Sequence, residues 1–202
     1  MIKMRIIAGT YRSRLLSAPR GMRTRPTSDR LRETLFNILT PRLNGCRFVD
    51  LYAGTGAVGI EALSRGAEHV WFAENAEPAL AALRQNLSAL KISRGFTLED
   101  RGVGAMLQRL SKLPEPVDLV FLDPPYDAED EYTGTLNFFG SVRGQALLAA
   151  DALVIAEHSS KVKLAKRYGA LEHTRLVKQG DAALSFLGFA VVEQSPHPDA
   201  SQ

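Results

Sequence analysis

One stretch constrains the fold of this chain more than any other. An apolar run at 48–52 leads into a loop that carries Gly54, Gly56 and Gly59, and then into a helical pattern. This order of strand, glycine loop and helix is the cofactor-binding crossover of an open α/β sheet. Glycines let the backbone come close to a ligand, because no Cβ blocks the approach or restricts φ. The spacing alone does not identify the ligand, since G-x-G-x-x-G is also the dinucleotide fingerprint.

Acidic residues near the loop separate the two interpretations. Asp50 precedes the glycines and suits a cationic ligand, such as an amino group or a sulfonium, better than a pyrophosphate. Glu74 ends the next apolar run, where a carboxylate accepts hydrogen bonds from ribose hydroxyls in folds of this type. The sequence D-P-P-Y at 123–126 closes a further apolar run. Together these features point away from hydride transfer and toward methyl transfer to an amino nitrogen.

Apolar patterns along the chain predict alternating strands and helices, and therefore a mostly parallel sheet with helices on both faces. Seven strands are predicted, at residues 47–52, 69–74, 95–99, 117–122, 152–157, 171–178 and 183–191. Helices are predicted from Thr27 or Ser28 to Pro41 and at 57–65, 77–90, 103–112 and 135–149. The last two strands would form an antiparallel edge hairpin. Ligands bind such sheets at the carboxyl ends of the strands, where both the glycine loop and D-P-P-Y fall.

The N-terminal region is strongly basic. Residues 1–47 hold eleven Lys or Arg against Asp29 and Glu33, whereas the rest of the chain holds fourteen basic and twenty acidic residues. Ten of the eleven are arginine, which grips phosphates and stacks on bases, so a nucleic-acid clamp is favoured over a solvated loop. We predict a basic hairpin and arm at 1–27 that turns at Gly9-Thr10, an α/β domain at 28–192 and a polar tail at 193–202.

Composition narrows the remaining function classes. No apolar run approaches the ~20 residues that a membrane span needs, and no signal segment opens the chain. Cys46 is the single cysteine, so it has no partner for a disulfide or a metal site. We therefore expect a cytoplasmic protein with no membrane partner, no metal and no obligate oligomer.

These motifs resemble those of class I S-adenosylmethionine-dependent methyltransferases, and more narrowly the RsmD-type family that methylates a guanine 2-amino group in 16S ribosomal RNA. The resemblance runs from about Arg5 to Phe189, and its family-specific part is R-P-T-x-D-R-x-R-E-x-L-F-N at 25–37. The other matching stretches are at 5–9, 50–59, 61–67 and 123–126. The resemblance implies a Rossmann-like fold with a seven-stranded sheet and S-adenosylmethionine as cofactor. The implied substrate is 16S rRNA, within an assembled or partly assembled small subunit.

The resemblance also implies three sets of site residues. Methyl transfer would use Asp123, Pro124 and Tyr126. The cofactor would contact Asp50, Tyr52, Ala53, Gly54, Gly56, Glu74, Asn75, Gly102 and Val103. RNA would contact Arg5, Arg12, Arg25, Thr27, Asp29, Arg30 and Arg32. Relatives contact the adenine ring through a polar or acidic side chain where this chain has Gly102, so backbone groups around Arg101–Val103 would serve instead.

The D-P-P-Y sequence suits this chemistry. The exocyclic amino group of guanine is a poor nucleophile, because its lone pair is delocalised into the ring. The Asp123 carboxylate and the Pro124 carbonyl can accept the two amino hydrogens and stabilise the positive charge that develops on the nitrogen. Tyr126 would stack on the base, which must leave its own stack to reach the cofactor.

Two other functions stay open on the sequence. One is a DNA adenine 6-amino methyltransferase, because such enzymes also use [N/D]-P-P-Y, although no second domain large enough for reading DNA is evident. The other is a non-catalytic RNA-binding assembly factor that retains a methyltransferase fold. The intact Asp50, Glu74 and D-P-P-Y argue against such loss of activity.

Overall fold

A computed structural model gives the architecture, and it describes residues 4–18, 29–125 and 129–190. A small antiparallel hairpin pairs β1 (Met4–Arg5) with β2 (Leu15–Leu16). The main sheet has eight strands in the order β5-β4-β3-β6-β7-β10-β9-β8. They are β3 (Arg47–Leu51), β4 (His69–Ala73), β5 (Phe96–Glu99), β6 (Val117–Leu122), β7 (Leu148–Ser159), β8 (Arg167–Tyr168), β9 (Leu171–Gln179) and β10 (Ala182–Phe189).

Strands β3 to β7 are parallel, and the last three are antiparallel. The order reverses between β3 and β6, because β4 and β5 follow on one side of β3 while β6 and β7 lie on the other. That reversal is the topological switch point, which in open α/β sheets is where ligands bind. We call the side of the sheet at which β3 to β7 end the carboxyl edge.

Six helices in the described part of the chain cover the two faces of the sheet. They are α1 (Asp29–Leu43), α2 (Ala57–Ser64), α3 (Glu77–Ala89), α4 (Val103–Leu110), α5 (Glu129–Gly140) and α6 (Val142–Gln145). One buried cluster joins the hairpin and the apolar stripes of α1, α2 and α3 to the sheet. The other joins α4 and α5 to the opposite face. The chain is therefore a three-layer α/β structure with a core on each side of the sheet.

The mixed α/β class and the mostly parallel sheet confirm the prediction, with three differences in detail. The sheet has eight strands rather than seven, because β8 is a two-residue edge strand too short to leave a pattern. The first helix continues past Pro41 to Leu43, since a proline in the last turn removes only one hydrogen bond. The helix predicted at 135–149 is wrong: α5 begins at Glu129, Ser141 caps a separate short helix, and residues from Leu148 belong to β7.

Hydrogen bonds to α2 hold the N-terminal hairpin on the body of the protein. The Glu61 carboxylate is fully buried and accepts the backbone N–H groups of Ile7 and Ala8 at 2.7 and 3.0 Å. One turn further on, Ser64 Oγ accepts the N–H of Tyr11 at 2.9 Å. At Gly9 the backbone is left-handed (φ 81°), and a Cβ there would overlap the Ser64 carbonyl oxygen. The hairpin is thus seated by backbone contacts that only a glycine allows.

Candidate functional site

The fold brings the predicted site segments to neighbouring positions on the carboxyl edge. In the parallel register, Leu51 of β3 lies beside Ala73 of β4 and Leu122 of β6. The glycine loop, Glu74 and Asp123 come directly after these three strands. Segments that are distant in sequence therefore surround one opening of the sheet, because parallel strands end on the same side.

A buried hydrogen bond and close packing hold the glycine loop in a defined shape. Asp50 lies inside β3, is 1% exposed, and its Oδ2 accepts the N–H of Gly59 in the first turn of α2 at 2.8 Å. Gly56, just before the helix, has φ 80°, and a Cβ there would collide with the side chain of Leu83. Tyr52 also has a positive φ (62°), which is a strained conformation for a residue with a side chain. Such strain is characteristic of functional sites.

Two of the predicted cofactor residues, Tyr52 and Asp50, use their side chains for contacts within the protein. The Tyr52 ring points to α5, where its hydroxyl lies 3.3 Å from Thr135 Oγ1, and burial raises its pKa to about 12. Asp50 lies beneath the loop, so its side chain braces α2.

Burial raises the pKa of Asp50 to about 7, and the nearby charge of Glu74 adds to the rise. The N–H of Gly59 acts in the opposite direction. Because the folded pKa exceeds the unfolded value of about 3.9, folding favours the protonated acid. The ionised Asp50 therefore lowers the stability of the ligand-free protein, and this loss develops as the pH rises from about 4 to about 7.

We expect Asp50→Asn to stabilise the ligand-free protein at pH 8, by on the order of 2–4 kcal/mol, because asparagine removes a buried charge and can still accept the Gly59 N–H. The gain should shrink toward pH 4. Urea unfolding of both proteins at pH 5 and pH 8 measures it. A stability difference that does not change with pH would contradict the raised pKa.

Glu74 and the ends of β4 and β5 form the next part of the opening. Glu74 is half-buried; its Oε2 accepts the N–H of Gly54, and its Oε1 accepts the N–H groups of Asn75 and Ala76, each at 2.8 Å. Gly102 caps α4 with φ 86°, and a Cβ there would lie 3.2 Å from Asn75 Nδ2. The structure therefore brings Gly54, Glu74, Asn75 and Gly102 together, with Val103 as the next residue of α4.

The sequence interpretation missed Glu99, the last residue of β5. Its carboxylate is 2% exposed and accepts hydrogen bonds from the guanidinium groups of Arg101 and Arg109 at 2.8 and 3.1 Å. These bonds hold the pKa of Glu99 down at about 2 despite its burial. Glu99 thus fixes the turn that carries Gly102. Like Glu74 and Asp123, Glu99 stands at the carboxyl end of an apolar strand. The position that identified those two residues in the sequence would therefore have identified Glu99 as well.

Asp123, directly after β6, has a strongly raised pKa. Burial raises its pKa well above the ordinary value, and the negative charges of Glu157 and Asp50 add to the rise. Glu157 is 2% exposed and follows Ala156 of β7, the register partner of Leu122, so it lies beside Asp123 on the adjacent strand. Two carboxyl groups this close resist ionising together, which is characteristic of functional sites.

The Pro124 carbonyl is positioned by α5. The hydroxyl of the buried Tyr132 donates to this oxygen at 3.0 Å, and a carbonyl oxygen has a second lone pair for another donor. The Tyr132 ring packs edge-on against His158 at 6.5 Å. His158 in turn lies 2.8 Å from Ser185 Oγ. A buried network therefore extends from the D-P-P segment across β7 to β10.

The predicted RNA-contacting residues lie in separate parts of the structure. Two of them, Arg25 and Thr27, lie outside the described residues, as does the predicted catalytic residue Tyr126. Arg5 and Arg30 are exposed near the start of α1, with Arg5 3.9 Å from Asp29. Arg12 is exposed at the tip of the hairpin, beside the carboxyl end of α2 and away from the carboxyl edge.

The expectation that Arg32 contacts RNA is corrected by its burial. Its side chain is 0% exposed, and Nη2 donates to Asp29 at 2.9 Å and to the carbonyl of Arg5. Burial lowers its pKa. Arg32 therefore joins the hairpin to α1 inside the protein.

Asn86 of α3 connects the arm to the glycine loop, a role that the sequence interpretation missed. This buried amide accepts the N–H of Ser17 at 2.7 Å and donates to the carbonyls of Ser17 at 3.1 Å and Thr55 at 2.9 Å. Three bonds from one side chain thus fix the start of the basic arm next to the loop. A polar residue on the apolar stripe of α3, between Leu83 and Leu87, was the available signal.

We expect Asn86→Asp to destabilise the protein by on the order of 2 kcal/mol, because a carboxylate cannot donate to Ser17 and Thr55. Cofactor affinity should fall as well, since the Thr55 segment loses its anchor. Gln85→Glu is the matched control: it makes the same amide-to-acid change on the exposed side of α3. Thermal unfolding and cofactor titration of both variants measure the effect, and equal results would contradict the role of Asn86.

Membrane-spanning helices and metal clusters are both absent from the part of the chain that the structure describes. No helix there is long and apolar enough to cross a membrane. No group of three or more His, Cys, Asp or Glu there could hold a metal ion.

Comparison with known proteins extends the similarity along most of the chain. A family model described as conserved hypothetical protein 95 matches residues 4–188. "Putative rRNA methyltransferase YlbH" from Bacillus subtilis is 35% identical over 172 residues, which cover 85% of this chain and 91% of that relative. "Ribosomal RNA small subunit methyltransferase D" from Escherichia coli (strain K12) is 37% identical over 124 residues, 61% of each chain. The solved structure of "Putative methyltransferase yhhF" from Escherichia coli is 30% identical with a TM-score of 0.76, covering 92% of this chain and 97% of that one.

Proposed function

The chain belongs to the family described as conserved hypothetical protein 95, and we propose that it transfers a methyl group from S-adenosylmethionine to the 2-amino group of a guanine in 16S ribosomal RNA. Relatives named as rRNA methyltransferases support the reaction class and the RNA substrate. We propose further that the substrate is presented within the small subunit, that the enzyme needs no second copy, and that it works in the cytoplasm.

The observation that carries the proposal is the acidic opening at the switch point. Asp123, Glu157 and Glu74 surround it, and its loop, residues 50–59, contains no Lys or Arg. Helix α2 begins at this loop, but the Asp50 carboxylate already accepts the Gly59 N–H of its first turn. The neighbouring carboxylates would repel a pyrophosphate, whereas an acidic rim suits a sulfonium. The half-buried Glu74 carboxylate beside Gly54 can accept hydrogen bonds from ribose hydroxyls. The residues present therefore fit S-adenosylmethionine.

When bound, S-adenosylmethionine supplies an electrophilic methyl group on a positively charged sulfur. Gly54, Glu74, Asn75, Gly102 and Val103 would hold it along the ends of β3, β4 and β5. Asp50 would act through the loop that it braces.

The protein's own residues act on the target amino group. The Asp123 carboxylate and the free lone pair of the Pro124 carbonyl accept its two hydrogens, which localises the nitrogen lone pair and stabilises the developing positive charge. Tyr132 keeps the carbonyl in place through its 3.0 Å hydrogen bond. We propose that Tyr126 stacks on the extruded base. Holding both reactants in line supplies much of the rate enhancement.

The basic arm would deliver the RNA. Arg5, Arg25, Thr27 and Arg30 precede or begin α1, and Asn86 and Arg32 fix the two ends of this segment to the body. Arginines there would contact phosphates on one side of the opening.

A methyl-transfer assay tests the proposal. Labelled S-adenosylmethionine would be offered with unmodified small subunits, with free 16S rRNA and with duplex DNA, and the products digested to nucleosides for mass spectrometry. We expect 2-methylguanosine from the small subunit. A 6-methyladenine product from DNA would assign the chain to adenine methylation instead. Cofactor binding without any product would indicate a binding protein that retains the fold.

A further inference from the structure

A second basic segment lies far from the N-terminal arm in sequence. Residues 159–181 contain six Lys or Arg against two acidic residues, Glu172 and Asp181. The six are Lys161, Lys163, Lys166, Arg167, Arg175 and Lys178, and all are exposed. The net charge of the whole chain does not reveal this segment, because residues 48–202 are acidic overall. Its position on the fold decides which partner it can bind.

The strand directions place two of these lysines at the carboxyl edge. Strand β10 is antiparallel to β7 and to β9, so β9 ends on the same side of the sheet as β7. Lys178 is the penultimate residue of β9, and Lys161 follows β7 by two residues. The N–H of Ser160 donates to the carbonyl of Asp181 at 2.8 Å, which ties the two chain segments together. Lys161 and Lys178 therefore flank one end of the opening.

Lys178 also faces the side of the sheet on which the D-P-P segment is held. Lys178 pairs in register with Ala183 of β10, and Ala183 pairs in turn with His158 of β7. Register partners on neighbouring strands share a face of the sheet, so Lys178 and His158 are on the same face. The His158 ring contacts Tyr132, which bonds the Pro124 carbonyl. Three strand spacings separate β6 from β9, so Lys178 stands roughly 15 Å from the Asp123 segment. The exposed Leu176 lies two residues before it on the same face.

The start of α1 lies close to this surface. Thr34 Oγ1 is 3.5 Å from the side-chain amide oxygen of Gln179, the residue after Lys178. Arg30 lies one helical turn before Thr34, and the Thr34 hydroxyl donates to its carbonyl at 3.0 Å. The start of α1 and the second basic segment thus lie next to each other at the end of β9.

We propose that Lys161 and Lys178 form a second RNA-binding surface, which contacts substrate phosphates at the end of the opening that adjoins the start of α1. The surface is exposed and cationic, and within the part of the chain that the structure describes neither lysine forms an ion pair with a carboxylate. Its occupant is the phosphate backbone of the RNA whose guanine enters the opening. This inference rests on the proposed function, since it requires an RNA substrate. It explains how a base could be held between two backbone contacts rather than one.

The double variant Lys161→Glu/Lys178→Glu tests the surface. Each lysine that contacts a phosphate contributes about one to the salt slope of binding. We expect the double variant to bind 16S rRNA at least ten-fold more weakly at 100 mM salt and to reduce the salt slope by about two. Its cofactor affinity and thermal midpoint should match those of the wild type. At saturating RNA the methylation rate should stay within about three-fold.

The matched control is Lys112→Glu/Lys166→Glu. It makes the same change in net charge, but Lys112 follows the carboxyl end of α4 and Lys166 precedes β8, both at the opposite edge of the sheet. It should bind RNA within about two-fold of the wild type. Equal weakening by both double variants would mean that only net charge matters and would overturn the proposal, as would unchanged binding by Lys161→Glu/Lys178→Glu. If the wild type itself neither binds nor methylates small-subunit RNA, the proposed function fails, which is a different result.

Discussion

Replacing Asp123 with asparagine should reduce methyl transfer by about 10²–10³-fold, the loss seen when one preorganised group is removed from an active site. Asparagine keeps the shape of the side chain and one acceptor oxygen, but it removes the negative charge that stabilises the nitrogen in the transition state. Because Asp123 contacts the target amino group in this mechanism, the cofactor dissociation constant should stay within a few-fold. Single-turnover rates and calorimetric cofactor titration would separate the two effects.

The pH dependence provides a second readout for Asp123. Burial and the neighbouring Glu157 and Asp50 raise its pKa, so the carboxylate that the mechanism needs forms only as the pH rises. The wild-type rate should therefore increase with pH through the raised pKa, and the Asp123→Asn rate should lose that increase. Asp130→Asn makes the same charge change at an exposed position of α5 and should leave rate and profile unchanged. A wild-type rate from Asp123→Asn would exclude the assigned role.

Replacing Glu61 with alanine should produce the largest loss of stability. The change removes the acceptor for Ile7 and Ala8 and breaks the 2.7 Å ion pair with Arg65. Breaking a buried ion pair costs about 3–5 kcal/mol. In a protein of this size that corresponds to a fall in the thermal midpoint of roughly 10 °C.

Two further variants make this result interpretable. Glu61→Gln retains an acceptor oxygen without the charge and should fall between the wild type and Glu61→Ala, and it remains measurable if the alanine variant does not fold. Glu68→Ala alters an exposed acid just after α2 and should change the stability by less than about 0.5 kcal/mol. Hydrogen exchange at Ile7 and Ala8 should accelerate in Glu61→Ala. Retained protection there would show that the hairpin is held by other contacts.

The central strands and the site loops were predictable because each leaves a local signal. Strands β3, β4 and β6 begin and end within one residue of the apolar runs that predict them. The glycine loop and Asp123 come directly after these runs. Parallel strands place the loops at their carboxyl ends along one edge, so neighbouring positions in the site could be inferred without knowing any long-range contact.

Contacts between distant segments were not predictable from local pattern. Glu157 comes to Asp123 only through the pairing of β7 with β6, and Tyr132 reaches Pro124 from a helix whose start was placed six residues too late. Arg32 was assigned to RNA from its charge, yet its spacing to Phe36, Leu39 and Leu43 follows the buried stripe of α1. Helical spacing was the better guide there, because a buried arginine keeps the periodicity of the core while its guanidinium bonds inside.

The docking of the hairpin on α2 has a consequence for how the protein is made. Ile7 and Ala8 leave the ribosome before their acceptor, Glu61, which lies 54 and 53 residues later in the chain. At synthesis rates of about 5–20 residues per second, those amides wait roughly 3–10 seconds for their partner. During that interval Met4, Ile6 and Leu16, which are all buried in the finished protein, have no core to enter. Until Glu61 has been made, the hairpin therefore cannot dock, and its three apolar side chains stay exposed to solvent.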